Sequence, residues 1–329
     1  MNIIKQTLCL AAALTFSAFI PQTVDNYAVA TAARSNDMTE TKIPVGNFTE
    51  VTLIGHYKVI YTQGKSCQVT IRAPRNTDIM QDISAEVKKG ALTVSTKQIA
   101  GVRVINNNRR DSITVYVTSP TLTKASLIGS GDFIANKPID ADRLQIVLHG
   151  SGDIKFNTIN CNSINASLNG SGDISMKKVE TGTKAIITLN GSGDFDIDCL
   201  TAVNAGVSLN GSGDLNLKNL ECSNASINLN GVGDMKVAAV TTQNASARLH
   251  GSGNLSIHLQ ECDNLDTGMT GTGDITLSGT TNTYRKTKSK MGDIHDSRLK
   301  YNKIVDSQSY KSSKTTKTPH SPGKIEAQP

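Results

Sequence analysis

From Gly129 onward apolar and polar positions alternate with period two, the mark of strands that bury one face. Each run opens on a pair such as Ile154/Phe156, Ile174/Met176, Phe195/Ile197, Leu215/Leu217 or Leu255/Ile257. A third apolar residue follows a short bend (Ile159, Val179, Leu200, Leu220, Val240). A second strand then ends on Leu148, Leu168, Leu189, Leu209, Leu229, Leu249 or Met269. Between runs stands a Gly-Ser-Gly-Asp turn or a close variant. These tetrads begin at Gly129, Gly150, Gly170, Gly191, Gly211, Gly231, Gly251 and Gly271, a spacing of twenty or twenty-one residues. A degenerate ninth copy reads Met291-Gly292-Asp293-Ile294.

A unit this short cannot bury its apolar face alone, so the repeats must stack. Leucine-rich repeats share the period, but their frame and any helical stretch are missing; a propeller needs about twice the period. The pattern predicts an all-β chain: a β-solenoid, parallel β-helix-like, over residues 129–305, with a β-rich N-terminal cap. At about 4.8 Å per coil the array makes a rod roughly 40 Å long. Pro is absent from Ile139 to Thr318, as ladder hydrogen bonding requires.

In the turns, Gly is expected to supply positive φ and Asp to cap nearby N–H groups as an Asx turn. Calcium is the rival reading, but one Asp per coil gives too few oxygens in any plane, and Asn254 replaces one of them. Two columns, Asn169/Asn190/Asn210/Asn230 and Asn204/Asn224/Asn244/Asn264, fit stacked amide ladders. Cys161, Cys222 and Cys262 fall in one inward column of small residues, with Thr181, Ala202 and Thr242. Their Cα atoms are then about 14 and 10 Å apart, too far for disulfides, so buried free thiols are expected. A Cys67–Cys199 bridge is left open.

Residues 41–128 are β-rich without the repeat. Candidate strands are Thr49–Ile54, Tyr57–Thr62, Gln68–Ala73, Ser84–Lys88, Leu92–Thr96 and Ser112–Thr118, with a hairpin turn at Lys88-Lys89-Gly90 and a polar loop at Asn106–Arg110. They form either irregular first coils or a separate cap. At the other end, Arg285, Thr287 and Ser289 are expected in the inward positions, with Lys286, Lys288 and Lys290 between them. Charge thus replaces the apolar ladder and blocks end-to-end stacking.

Residues 1–30 read as a signal peptide, with Lys5, an apolar run from Leu8 to Ile20 and small-residue cleavage sites as late as about residue 33. An uncleaved N-terminal anchor is the alternative, and no later run is long enough to span a bilayer. The chain is therefore expected in the periplasm, at the cell surface or outside the cell. The net charge is +6, with Lys and Arg denser toward the C-terminal end, where residues 306–329 form a basic tail expected to be disordered. That distribution argues against a nucleic-acid groove.

For chemistry, the nearest candidate is Asp196 and Asp198, with Lys177, Asp198 and Lys218 in one outward column; a ladder of ion pairs explains it without catalysis. The tetrad serines lack a matched His, no Lys follows the glycines, and His149, His250 and His258 are too far apart to share a metal. No catalytic, cofactor-binding or metal-binding residue is assigned, and no cofactor is expected. The outward second-strand positions Asn165, Ser167, Thr188, Ser208, Ser226, Asn228, Ser246 and Arg248 form a small, polar face. Solvation alone explains that face, and it equally suits contact with a surface protein or glycan. No Tyr or Trp occurs between Val117 and Thr283 to stack on sugars.

The order of segments carries a resemblance. Val51-Thr52-Leu53-Ile54-Gly55, Tyr57-Lys58-Val59-Ile60-Tyr61, Gly90-Ala91-Leu92-Thr93-Val94, Ile113-Thr114-Val115-Tyr116-Val117-Thr118-Ser119-Pro120 and the Gly-Ser-Gly-Asp-Ile coils follow one another. Together they resemble the auto-transporter adhesin head, or GIN, domain family over roughly residues 45 to 280. The family is common in Bacteroidetes and known chiefly as exported β-solenoids. The resemblance implies an adhesin-like or envelope-associated role and brings no ligand or catalytic residue with it. This chain departs from the family in the regularity of its array and in its basic tail. The expected function is an exported, non-enzymatic binding or structural module, with homo-oligomers possible. The alternative is a carbohydrate-active β-helix enzyme, a lyase or hydrolase, working from the Asp196/Asp198 face.

Overall fold

A computed structural model describes residues 38–75, 83–96, 113–288 and 291–306. The expected signal peptide, the Asn106–Arg110 loop, Ser289, Lys290 and the tail beyond residue 306 lie outside the described residues. What is described is strand and turn without helix, and all strands join one continuous sheet.

The array is the simpler part. The strands β11 (Asp153–Leu168), β12 (Ile174–Leu189), β13 (Phe195–Leu209), β14 (Leu215–Leu229), β15 (Met235–Gly251), β16 (Leu255–Gly271) and β17 (Asp274–Lys288) each form one coil. Each pairs in parallel with the next. Leu168, Leu189, Leu209, Leu229, Leu249 and Met269 stand in one register and are buried. So are the paired positions after each turn and the bend column from Ile159 to Val240. Full burial of one such side chain is worth about 1.5–3 kcal/mol, so the columns drive stacking. The degenerate ninth copy is a real coil: β18 (Asp293–Asp306) sets Asp293 opposite Asp274 and Ile294 opposite Ile275.

The N-terminal segment builds coils too, threaded out of order. The strands β2 (Glu50–Gly55) and β3 (Lys58–Gln63) form one coil, and β8 (Lys124–Gly129) and β9 (Asp132–Ala135) stack on it in parallel. β10 (Ile139–Gly150) and β11 continue from there. On the opposite side of the β2/β3 coil lie β6 (Ala91–Thr96) and β7 (Thr114–Ser119), also parallel. The chain therefore inserts its first coil between two later ones. Beyond β6 and β7 the direction reverses. β5 (Ile83–Lys88) pairs antiparallel with β6, β4 (Gln68–Pro74) with β7, and β1 (Met38–Ile43) with β4. The β5–β6 hairpin turns at Lys89 and Gly90, with φ of 51° and 78°, the left-handed pair that a tight hairpin needs. First coils and cap, the two alternatives left open by the sequence, are both present and share one core running from Phe48 to Leu299.

At the C-terminal end one expectation fails. Leu265 pairs with Tyr284, Thr267 with Lys286 and Met269 with Lys288, so Lys286 and Lys288 take the inward positions, not Arg285 and Thr287. The cause is a lost residue in the bend: Leu259 lies opposite Gly279, twenty residues on, whereas Asn264 lies opposite Thr283, nineteen on. A slip of one residue moves every later side chain to the other face. Tyr284 is fully buried, and Lys286 forms a half-buried ion pair with Asp296 at 2.5 Å. Tyr284 donates to the same carboxylate at 3.1 Å, and Lys288 pairs with Asp293.

Candidate binding faces

Four surfaces run along the rod, and the turn edge has the most regular chemistry. The carbonyl of each leading glycine from Gly129 to Gly251 accepts two N–H groups from the next coil, as Gly129 does from Ser151 at 2.9 Å and Gly152 at 3.1 Å. A Cβ on Gly172, Gly193, Gly213 or Gly233 would come within 1.9 Å of the glycine oxygen one coil below. Of the leading glycines in the tetrads, Gly129, Gly150 and Gly251 have left-handed φ. Close backbone approach, rather than the expected positive φ, is what demands glycine through most of the array. The aspartates also act between coils. Asp194 N–H donates to Asp173 Oδ1 at 2.9 Å, Asp214 to Asp194 at 3.2 Å, and Asp234 to Asp214 at 3.0 Å, in place of the expected local Asx turn. Asn254 donates to Asp234 from both its backbone and its amide, each at 3.0 Å.

Sequence reasoning missed that Gly55-His56-Tyr57-Lys58 is the same turn. Gly55 O accepts from Ser130 and Gly131, and Lys58 sits opposite Asp132 with 3.6 Å between the charges. Only the single glycine marks it.

Both asparagine ladders form. Asn190, Asn210 and Asn230 each donate to the preceding Asn at 2.8 Å, and Asn224, Asn244 and Asn264 do so at 3.0 Å. The turn edge thus spends its polar groups on stacking. Among the described residues no group of three or more His, Cys, Asp or Glu is placed to hold a metal ion.

On the first-strand face, Lys218 reaches Asp198 at 2.7 Å, and the Asn216 amide donates to Asp196 at 3.2 Å. The hydrogen bond to Asp198 raises the pKa of Lys218. Exposed pairs of this kind add little to stability. The histidines stay apart: His258 contacts Ser278 at 2.9 Å and His250 contacts Thr270.

The five described cysteines are free thiols, and of these Cys161, Cys222 and Cys262 lie at the bend edge. Cys222 and Cys262 are buried, as the inward column requires, and desolvation pushes both thiols up; Cys161 is half-buried and pushed up to about 11. The column lines a shallow groove of about 360 Å³ that includes Glu221, Cys222, Thr242, Glu261 and Cys262. Its outer wall alternates acid and hydroxyl, with Glu180, Thr201, Glu221, Thr241 and Glu261 in register. That alternation was present in the sequence, at every second coil, and went unread because no single coil carries it.

The second-strand face is the longest flat surface. One column runs Asn165, Ile186, Gly206, Ser226, Ser246 and Asp266; its neighbour runs Ser167, Thr188, Ser208, Asn228, Arg248 and Gly268. Short side chains keep it level until Arg248 lies across Gly268 and pairs with Asp266 at 2.8 Å.

Comparison with known proteins agrees with the architecture. The family model described as "Putative auto-transporter adhesin, head GIN domain" matches residues 47–249 and 225–319. A putative adhesin from Parabacteroides merdae superposes with a TM-score of 0.57 at 19% identity, over 81% of this chain and 97% of its own. A putative adhesin from Parabacteroides distasonis gives 0.57 at 20% identity, over 79% and 98%. A putative lipid binding protein from the same species gives 0.48 at 22%, over 81% and 97%. No curated protein matches the chain. The family match spans most of the described coils, and the chain belongs to the auto-transporter adhesin head GIN domain family.

Proposed function

We propose that the chain is an exported, non-enzymatic rod that presents its second-strand face to a protein or glycan at the cell envelope. One observation carries this reading. The paired columns from Asn165 and Ser167 to Ser246 and Asn228 are level and, Ile186 and Gly206 apart, polar over successive coils. A surface of that shape suits an extended partner better than a small substrate. Family membership supports an adhesin-like role. The Asp196/Asp198 pair supports catalysis poorly, because Asn216 and Lys218 already engage both carboxylates.

The test is an array of glycans and matrix proteins probed with purified chain. Binding is expected to be lost in a Ser208→Glu/Asn228→Glu double variant and kept in Lys218→Gln on the other face. Hits indifferent to the double variant would refute the face. Turnover of any polysaccharide, abolished by Asp198→Ala in a folded protein, would refute the non-enzymatic reading.

A further inference from the structure

The two ends of the rod finish differently. The N-terminal end is closed by the reversed strands β1, β4 and β5, whereas at the C-terminal end β18 pairs with β17 and no strand among the described residues pairs with its other edge. Tyr301 stands over the buried Thr281, and Ile304 over the buried Tyr284. They are 43% and 46% exposed, and Met291, at the last turn, is 64% exposed.

Cations surround them. Arg298, Lys300 and Lys303 are exposed on the same strand, with Arg285 on the coil below. Of the acids here, Asp296 is engaged by Lys286 and Tyr284, Asp293 by Lys288, and Asp274 by His295 at 3.7 Å, while Asp306 ends the strand. Among the described residues no carboxylate pairs with Arg285, Arg298, Lys300 or Lys303. The sequence then continues with Lys311, Lys314, Lys317 and Lys324 against the single acid Glu326.

We propose that this end of the rod docks on an anionic lipid surface. Tyr301, Ile304 and Met291 enter the headgroup boundary, and Arg298, Lys300 and Lys303 contact lipid phosphates. Apolar groups ringed by cations match the two parts of such an interface. An acidic polymer in water would use the cations and leave Tyr301 and Ile304 exposed. A second copy meeting this end with its own would bring like charges together. Docking by the end leaves the long faces free, so the inference stands or falls separately from the binding-face reading.

The test is flotation of the purified chain with phosphatidylcholine vesicles, with and without phosphatidylglycerol. Any binding that the anionic lipid adds is the quantity of interest. It should fall as salt rises. It should also drop on the order of a hundredfold in Arg298→Gln/Lys300→Gln/Lys303→Gln, about fivefold per cation. Tyr301→Ser/Ile304→Ser should weaken it while keeping its salt dependence. Lys236→Gln, in the array, should leave it unchanged. Thermal melts of the same samples check that each variant is folded, and the single Lys300→Gln serves if the triple variant is not. No added binding with anionic lipid, or binding indifferent to these residues, overturns the proposal. Retention on an acidic polysaccharide with the same residue dependence overturns the lipid assignment. So does self-association that Ile304→Ser abolishes in a chain that ignores vesicles.

Discussion

In the array, Gly193 and Gly213 touch across one coil and twenty residues of chain; near the N-terminus, Gly55 and Gly129 make the same turn-to-turn contact across an inserted segment. Thr49 and Thr123, joined by hydrogen bonds in those coils, are 74 residues apart. By loop-closure entropy the longer separation costs only about 1 kcal/mol more. Parallel stacking therefore does not need a repeat. What changes is the filling. The array packs mostly aliphatic columns one coil at a time, whereas the N-terminal coils stack the Tyr61 and Phe133 rings with centroids 6.2 Å apart, and Phe133 meets Phe156 of the first array coil at 5.8 Å. Tyr61 also bonds Ser119 at 2.8 Å, fixing β3 to β7, and burial raises its pKa. A repeat specifies its neighbours by sameness; the first coils specify theirs by shape and a few particular bonds.

The sharpest way to break the array is at its glycines. Gly213→Val places a side chain 1.9 Å from the Gly193 carbonyl, backbone against backbone. We expect a loss of about 3 kcal/mol or more, the upper range for overpacking, read by urea denaturation. Gly206→Ala, whose Cβ finds its nearest contact at 3.9 Å, should stay within about 0.5 kcal/mol of the parent. In the N-terminal coils the weak point is the ring stack: Phe133→Ala should cost about 3–5 kcal/mol in the same assay. A smaller effect is expected at the ladder, where Asn210→Ala removes one bond to each neighbour at the exposed edge and should cost about 1 kcal/mol.

A further effect follows pH. Burial raises the Cys161 thiol from 9.0 to about 11, so the folded chain holds its proton where the unfolded chain releases it. Stability from this group is present below pH 9 and lost as pH rises toward 11. Cys161→Ser should flatten that part of the stability profile. At neutral pH, alkylation should reach Cys199, on the outer face, before the buried Cys222 and Cys262.

Legibility followed the same divide. Eight tetrads announced the coils, the inward columns and both amide ladders because each position recurs and its neighbour in space is its neighbour in the repeat. The strands of the N-terminal segment were readable from alternation, but their order was not. Glu50 lies opposite both Ala91 and Lys124, and nothing local to any of the three signals it. The glycines were recognised and their reason misread, since close approach between coils is invisible until the stacking is known. The inward Lys286 was missed because one residue lost from a bend shifts the face of everything after it. On the faces, composition identified level polar columns, while the acid–hydroxyl groove at Glu221 and Glu261 emerged only once alternate coils were placed side by side.

Removing one whole coil is the most direct measurement of the central claim, that array coils are interchangeable and the N-terminal coils are not. Excising Gly211–Asn230 joins Asn210 to Gly231 and restores an Asn-Gly corner with every column in register. The account predicts a soluble chain with an unchanged β-type circular dichroism spectrum per residue and a single cooperative melt. An unfolded or aggregated product would contradict it, because the coils would then be specified one by one.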